Sequence, residues 1–282
     1  MILLADSGST KTDWRIIDQA GKIHQAKTVG LNPYHQSTDD ITEILSRELM
    51  PQLAVPVEQV FFYGAGCANE AISQTVERAL QTAFPSAEIH VHSDLLAAAH
   101  ALCGHEPGIA CILGTGANSC LYDGKQVVDN VPPLGYILGD EGSGTYIGKE
   151  LLNRYLKRDL PDPLRSQFAK RYSVTTESVL DNVYRQPQPN RYLAGFAKFA
   201  FHHLKHPYVA RLVYEGFRQF LEKNVGRYEN YQQYKVHFTG SVAFYYSNIL
   251  RQVANDEGIV IQNIVESPIA GLTLYHQRGG AV

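Results

Sequence analysis

Two apolar runs separated by a small polar turn open the chain, and the same unit returns about 108 residues later. The first is Leu3-Leu4-Ala5-Asp6-Ser7-Gly8-Ser9-Thr10-Lys11-Thr12-Asp13-Trp14-Arg15-Ile16-Ile17-Asp18. The second enters through Gly108–Leu113, turns at Gly114-Thr115-Gly116-Ala117-Asn118-Ser119 and leaves through Cys120-Leu121-Tyr122. Apolar runs on both sides of a Gly/Ser/Thr turn predict strand, turn, strand. The spacing is far too long for a solenoid, whose periods are roughly 20–50 residues, so it implies a duplicated domain. A length of 282 residues is enough for two domains of ordinary size.

The stretches around these units predict an α/β protein. Lys22–Val29 reads as a third strand, broken at Gly30-Leu31-Asn32-Pro33-Tyr34. Ser37-Thr38-Asp39-Asp40 has the form of a capping box, and Ile41, Ile44, Leu45 and Leu49 form the stripe of the helix behind it. A strand at Gln59–Tyr63, a helix from Asn69 through Phe84, a strand at Glu88–His92 and a helix at Leu95–Leu102 follow. The first half therefore reads β-β-β-α-β-α-β-α, and its strand–helix–strand crossovers imply a parallel sheet. In the second half, strands are expected at Gln126–Val128, Val236–Thr239 and Ile259–Val265, with helices at Val242–Ala254 and Pro268–Tyr275. Between them lies a helical insert with two apolar stripes, read as core: Tyr192, Phe196, Phe199, Ala200 and Leu204, then Val209, Leu212, Val213, Phe217, Phe220 and Leu221.

The first turn is rich in groups that suit a polyphosphate. Gly8 permits close backbone approach, Ser7, Ser9, Thr10 and Thr12 carry hydroxyls, and Lys11 carries a mobile positive charge. Asp6, at the strand end, could hold a hydrated Mg²⁺. A polar surface hairpin is the alternative. The turn is not a P-loop, and it leads into a strand and not a helix. Gly114-Thr115-Gly116 likewise lacks the third glycine and following helix of a dinucleotide fingerprint.

Composition excludes several classes of function. With 44% hydrophobic and 19% charged residues and a formal charge of −3, the chain has no basic tract, so nucleic acid is not expected as a partner. No apolar run reaches the roughly 18 residues of a membrane span, and Met1–Ala5 meets Asp6 too soon for a secretory signal, so a cytoplasmic location is expected. Cys67, Cys103, Cys111 and Cys120 form no C-x-x-C pair and read as buried thiols.

Taken as a pair, the two turns resemble the phosphate hairpins of the actin/hsp70/hexokinase (ASKHA) superfamily. More narrowly, the whole chain looks like the N-acetylglucosamine kinase and BadF/BadG ATPase family. The stretches that carry this are Asp6–Asp13, Asp94-Leu95-Leu96-Ala97-Ala98-Ala99, Leu113–Ser119, Gly135-Tyr136-Ile137-Leu138-Gly139-Asp140-Glu141-Gly142-Ser143-Gly144 and Phe238-Thr239-Gly240-Ser241-Val242-Ala243. The Gly135–Gly144 block is the most family-specific. One branch of the family phosphorylates amino sugars; the other is a set of dimeric activators with an iron–sulfur cluster. No cysteine here matches the cluster-ligand pattern, and the second turn reads Leu-Gly-Thr-Gly-Ala-Asn, so the chain sides with the sugar kinases. It also lacks the cysteine-rich zinc motif of the ROK kinases.

The resemblance implies duplicated ribonuclease H-like domains, 1–107 and 108–282, with a ligand cleft between them and the last helix packing back on the first. It implies ATP and Mg²⁺ as cofactors and N-acetylglucosamine or a related amino sugar as substrate, with O6 as the expected acceptor hydroxyl. An ATPase activator or binding protein with no sugar acceptor is the alternative. Backbone donors for the β- and γ-phosphates are expected from Gly8, Ser9 and Thr10 and from Thr115 and Gly116, with Lys11 adding charge and Asp6 holding the metal through water. Gly240 and Ser241 would lie against the adenosine. A sugar hydroxyl needs a base, and a carboxylate at a strand's C-terminal end suits that task. Asp94 sits there, although capping the next helix would also explain it; Asp140 is the rival. By the resemblance Asp94 is the base and Asp140 binds sugar hydroxyls, with Asn32 and Asn118 as candidate sugar amides. The oligomeric state is left open, with a homodimer among the options.

Overall fold

The computed structural model describes residues 1–277 except Ser9, Thr10, His35, Ala54 and Ala68; the expectations for Ser9 and Thr10 thus lie outside the described residues. The chain divides into two compact units, Met1–His105 together with the segment from Ser267, and Glu106–Glu266. The crossing between His105 and Glu106 lies two residues before the boundary drawn from sequence.

The first unit is built on five strands: β1 (Ile2–Ser7), β2 (Lys11–Ile17), β3 (Ile23–Val29), β4 (Gln59–Gly64) and β5 (Glu88–Ser93). Their order in the sheet is β3-β2-β1-β4-β5. The hairpin strands are antiparallel, while β4 runs parallel to β1 and β5 parallel to β4. Helix α1 (Thr38–Ile44) lies between β3 and β4 and α2 (Glu70–Ala83) between β4 and β5, while α3 (Asp94–Cys103) follows β5. The predicted capping box is present: the Asp40 N–H donates to Ser37 Oγ and the Ser37 N–H to Asp40 Oδ2. Asn69 Oδ1 caps α2 by accepting from the Ala71 N–H at 2.9 Å.

Side chains alternate across a strand, and this divides the first sheet into two faces. Leu3 and Ala5 of β1, with Trp14, Val60 and Phe62, pack with Leu45, Val76 and Leu80 of the α1/α2 layer. Leu4, with Phe61 and Tyr63, packs on the other face against Ala97 of α3 and against Ile269 and Leu272 of the last helix. Asp6 shares the parity of Leu4, and Ser7 that of Leu3 and Ala5. That one-residue offset sends the two polar side chains at the strand end to opposite faces.

The second unit repeats the plan. Strands β6 (Gly108–Leu113), β7 (Ala117–Tyr122), β8 (Val127–Asp129), β9 (Val236–Thr239) and β10 (Ile261–Val265) lie in the order β10-β9-β6-β7-β8. This is β5-β4-β1-β2-β3 again, with β9 and β10 parallel to β6 as β4 and β5 are to β1. The structure is the duplicated ribonuclease H-like fold.

The insert between β8 and β9 holds α4 (Gly135–Leu138), α5 (Gly144–Leu156), α6 (Leu164–Arg171), α7 (Thr176–Tyr184), α8 (Pro189–Ala194), α9 (Ala197–His202) and α10 (Pro207–Lys223). Every residue of the α10 stripe read from sequence is buried. The helix expected at Val242–Ala254 is two, α11 (Ser241–Tyr245) and α12 (Ser247–Asp256), broken at Tyr246, whose hydroxyl donates to the Ala197 carbonyl. The last helix, α13 (Ile269–Gln277), belongs to the first unit.

Candidate active site

In the first unit, the turn between β1 and β2 is held mostly by its own groups. The Gly8 N–H donates to the Lys11 carbonyl at 3.0 Å, so this donor is not available to a phosphate. The Ser7 and Thr12 hydroxyls lie 2.7 Å apart, and they donate onward to the Leu31 and Val29 carbonyls. Both are buried. This corrects the expectation that they face a ligand: their parity turns them into the core. Lys11 is largely exposed and pairs with Asp13 at 2.7 Å, where Lys27 also approaches. Among the described residues, a β carbon added at Gly8 would meet only the Lys11 carbonyl, at 3.9 Å, which leaves room for close approach at Gly8.

Asp6 and Asp94 come together on the α3/α13 face. Burial pushes the Asp6 carboxyl up to about 7; the hydrogen bond from Ser267 opposes this, and the charges of Asp94 and Asp13 reinforce it. Burial likewise raises Asp94 to about 6, against backbone hydrogen bonds at the start of α3. The cap of α3 is Ser93, whose Oγ accepts from the Leu96 N–H at 3.2 Å. Asp94 is therefore the first helical residue, and the helix does not depend on it for its cap.

Asp6 fits a hydrated divalent cation. It is a partly buried carboxylate facing two further acids, Asp94 and Asp13, with Lys11 the one cation acting on it among the described residues. Among the described residues no group of three or more His, Cys, Asp or Glu could hold a metal. Mg²⁺ does not need one, because it keeps several waters and binds through one or two carboxylates plus substrate phosphates.

Asn32 is buried in the same unit. Its Oδ1 accepts from the Tyr34 N–H at 3.0 Å, closing a small turn, and its own N–H donates to Gln36 Oε1. The amide thus shapes the loop after β3.

In the second unit the turn between β6 and β7 is braced from behind. The Gly144 and Thr145 N–H groups, at the start of α5, donate to the Gly114 and Thr115 carbonyls at 2.9 and 3.0 Å. Thr145 Oγ1 donates to the Thr115 carbonyl as well, at 2.6 Å. The first-turn donors of α5 are thereby spent on the carbonyls of the turn. Asp140 Oδ1 accepts from the Ala117 N–H at 3.0 Å, and burial is the main cause raising this carboxyl above its usual value. The Asp140 backbone lies in the left-handed region at φ 54°, anchored through its N–H to the Pro133 carbonyl. A β carbon at Gly116 would stand 3.1 Å from Asp140 Oδ1, so turn and carboxylate are in contact.

The Gly240–Ser241 turn joins this group. Gly240 has φ 112°, and the position of a β carbon there is filled by the Leu113 carbonyl oxygen, 2.3 Å away. Its lack of a side chain is required by the packing of β9 on the end of β6. Beside it, the buried Thr239 hydroxyl has no hydrogen-bond partner among the described residues. Asn118 Oδ1 accepts from Asn130 Nδ2 at 3.0 Å and from the Ser119 N–H at 2.9 Å, which leaves its amide nitrogen as the group to offer.

Sequence reading missed Thr145 and Ser267. Thr145 follows the Gly135–Gly144 block directly, but helix α5 was not anticipated because Gly144 and Gly148 weaken its pattern. Ser267 stands before Pro268, a helix-start signal that gives no hint of a contact with Asp6, 261 residues away.

No protein-family model matches the sequence, and no curated protein matches it. Solved structures do. A proposed N-acetylglucosamine kinase from Porphyromonas gingivalis is 43% identical, with 100% of each chain covered and a TM-score of 0.94. Another from Chromobacterium violaceum shares the fold at 16% identity and TM-score 0.75, covering 97% of this chain and 98% of that one. MamK, a non-polymerising mutant bound to AMPPNP, shares it at 13% identity and TM-score 0.54, over 99% and 98% of the two chains. The chain belongs to the N-acetylglucosamine kinase and BadF/BadG-type ATPase family of the ASKHA superfamily.

Proposed function

We propose that the protein is an ATP-dependent sugar kinase that transfers the γ-phosphate to O6 of N-acetylglucosamine or a related amino sugar. The full-length likeness to the Porphyromonas protein supports the class of reaction. The observation that carries the chemistry is Asp94. It lies where β5 gives way to α3, it is not the helix cap, and burial holds it near 6, close to the working pH of a general base.

In this reading Asp94 accepts the proton of the sugar hydroxyl as that oxygen bonds to the γ-phosphorus. The bond from phosphorus to the β–γ bridging oxygen breaks, ADP leaves, and the proton passes from Asp94 to solvent. Asp140 holds sugar hydroxyls through the oxygen that does not accept from Ala117. Asn32 and Asn118 are the amides proposed to contact the sugar. The Thr115 and Gly116 N–H groups face the phosphates, in a turn whose Gly114 and Thr115 carbonyls are tied back to α5. Gly8 allows close approach at the other turn, Lys11 adds charge near it, and Gly240 and Ser241 border the adenosine. Asp6 would hold Mg²⁺ through water; when bound, that ion neutralises charge on the phosphates.

The test is a panel of sugars incubated with ATP and Mg²⁺, following ADP release. N-acetylated hexoses should stimulate it strongly. An ADP release rate that is equal with and without every sugar tried would overturn the kinase reading in favour of an acceptor-free ATPase.

A further inference from the structure

We propose that Ser267 is a positioning residue for Asp6, aiming the carboxylate that holds the hydrated divalent cation; this rests on the kinase reading above. Ser267 Oγ lies 3.2 Å from Asp6 Oδ2 and 3.5 Å from the Ile269 backbone nitrogen. A backbone N–H can only donate, so the serine oxygen turns a lone pair toward the start of α13. Its proton is then left to point at Asp6. Among the described residues no other hydrogen bond reaches the Asp6 carboxylate; the neighbouring Asp94 and Asp13 repel it, and Lys11 attracts it more weakly. One hydroxyl therefore gives the carboxylate its directional contact, which the longer-range charges of Asp94, Asp13 and Lys11 do not supply.

Ser267 stands in the short link two residues before α13, and α13 is firmly seated. A β carbon at Gly271 would come within 2.3 Å of the Ala101 carbonyl oxygen, so α13 lies directly on α3. Leu272 and Ile269 fill the apolar face of the sheet, and His276 Nε2 is 3.0 Å from the Tyr63 hydroxyl. The contact between Ser267 Oγ and the Ile269 N–H ties this donor to the start of that packed helix. The helix α3 against which α13 packs begins with Asp94, so the same contact backs both carboxylates.

The experiment is calorimetry of AMPPNP binding, with Mg²⁺ and with EDTA, for wild type, Ser267→Ala and Ser267→Thr. Ser267→Ala should lose about tenfold of the Mg²⁺-dependent gain in affinity, the scale of a hydrogen bond to a charged group, and leave binding in EDTA unchanged. Threonine keeps the hydroxyl and should restore the gain. Melting temperatures report separately on the loss of the contact with the Ile269 N–H. An alanine variant with the wild-type Mg²⁺-dependent gain, or one weakened equally with and without Mg²⁺, overturns the positioning role while leaving the kinase reading intact. A wild-type protein whose AMPPNP affinity does not respond to Mg²⁺ overturns both.

Discussion

The two strand–turn–strand units share one topology but are supported in different ways. The β1–β2 turn is tied within itself, by Gly8 to Lys11 and by Ser7 to Thr12, and its charged groups are Lys11, Asp13 and Asp6. The β6–β7 turn has a bond of its own, from the Gly114 N–H to the Gly116 carbonyl, and is further tied to elements far along the chain, to Gly144 and Thr145 of α5 and to Asp140. The long insert of the second unit makes this possible, since α4 and α5 lie within it, whereas the corresponding connection of the first unit carries only α1 and short turns. Duplication thus supplied two similar turns. One specialised in charge, the other in backbone donors held from behind.

This contrast predicts that equal substitutions in the two turns have unequal effects. Gly116→Val should be the more damaging, because its side chain blocks approach to the turn and displaces Asp140 together. ATP and sugar should both bind worse, with kcat/KM falling about 100-fold, the scale expected for misplacing a reacting group by an ångström. An unchanged KM for sugar in a folded Gly116→Val protein would break the link between turn and carboxylate. The pH profile gives the next effect. Asp94 must be ionised to accept a proton, so kcat should drop about tenfold per pH unit below about 6. A flat kcat from pH 7.5 to 5 would remove Asp94 from the reaction. Among the described residues the Gly8→Ala methyl would meet the Lys11 carbonyl at an ordinary 3.9 Å, so it should weaken ATP about tenfold while leaving KM for sugar and the melting temperature alone. The smallest effect belongs to Lys11→Ala. Its charge is exposed and already paired with Asp13, so ATP affinity should change less than about threefold. A much larger loss would show that Lys11 leaves Asp13 for the phosphates.

The same contrast explains what could be read from the sequence. Topology was legible because apolar periodicity and turn composition are local, and the repeat at about 108 residues disclosed the duplication. Caps such as Ser37 and Asn69 were legible for the same reason. Strand parity escaped notice, and it is what turns Ser7 and Thr12 inward while Asp6 turns toward α3 and α13. Contacts across long separations left no local mark: Asp6 with Ser267, Ala117 with Asp140, and Thr115 with Thr145. At Gly240 the glycine was legible, but its immediate reason is the carbonyl of Leu113.

The central claim divides labour between two carboxylates, and Asp94→Asn beside Asp140→Asn tests it most directly, at saturating ATP with varied sugar. Asparagine at 94 keeps the size and the contact with the hydroxyl but cannot take its proton. The account predicts a fall in kcat of about 10²–10⁴-fold with little change in KM. It also predicts a higher melting temperature for the ligand-free variant at pH 7.5. A carboxyl raised to about 6 favours the folded state only when protonated, and that contribution is lost as pH rises through about 6, so removing the charge relieves a cost. Asp140→Asn should raise KM for sugar at least as much as it lowers kcat. Near wild-type kcat for Asp94→Asn, with collapse of kcat for Asp140→Asn, would contradict the account and reverse the two roles.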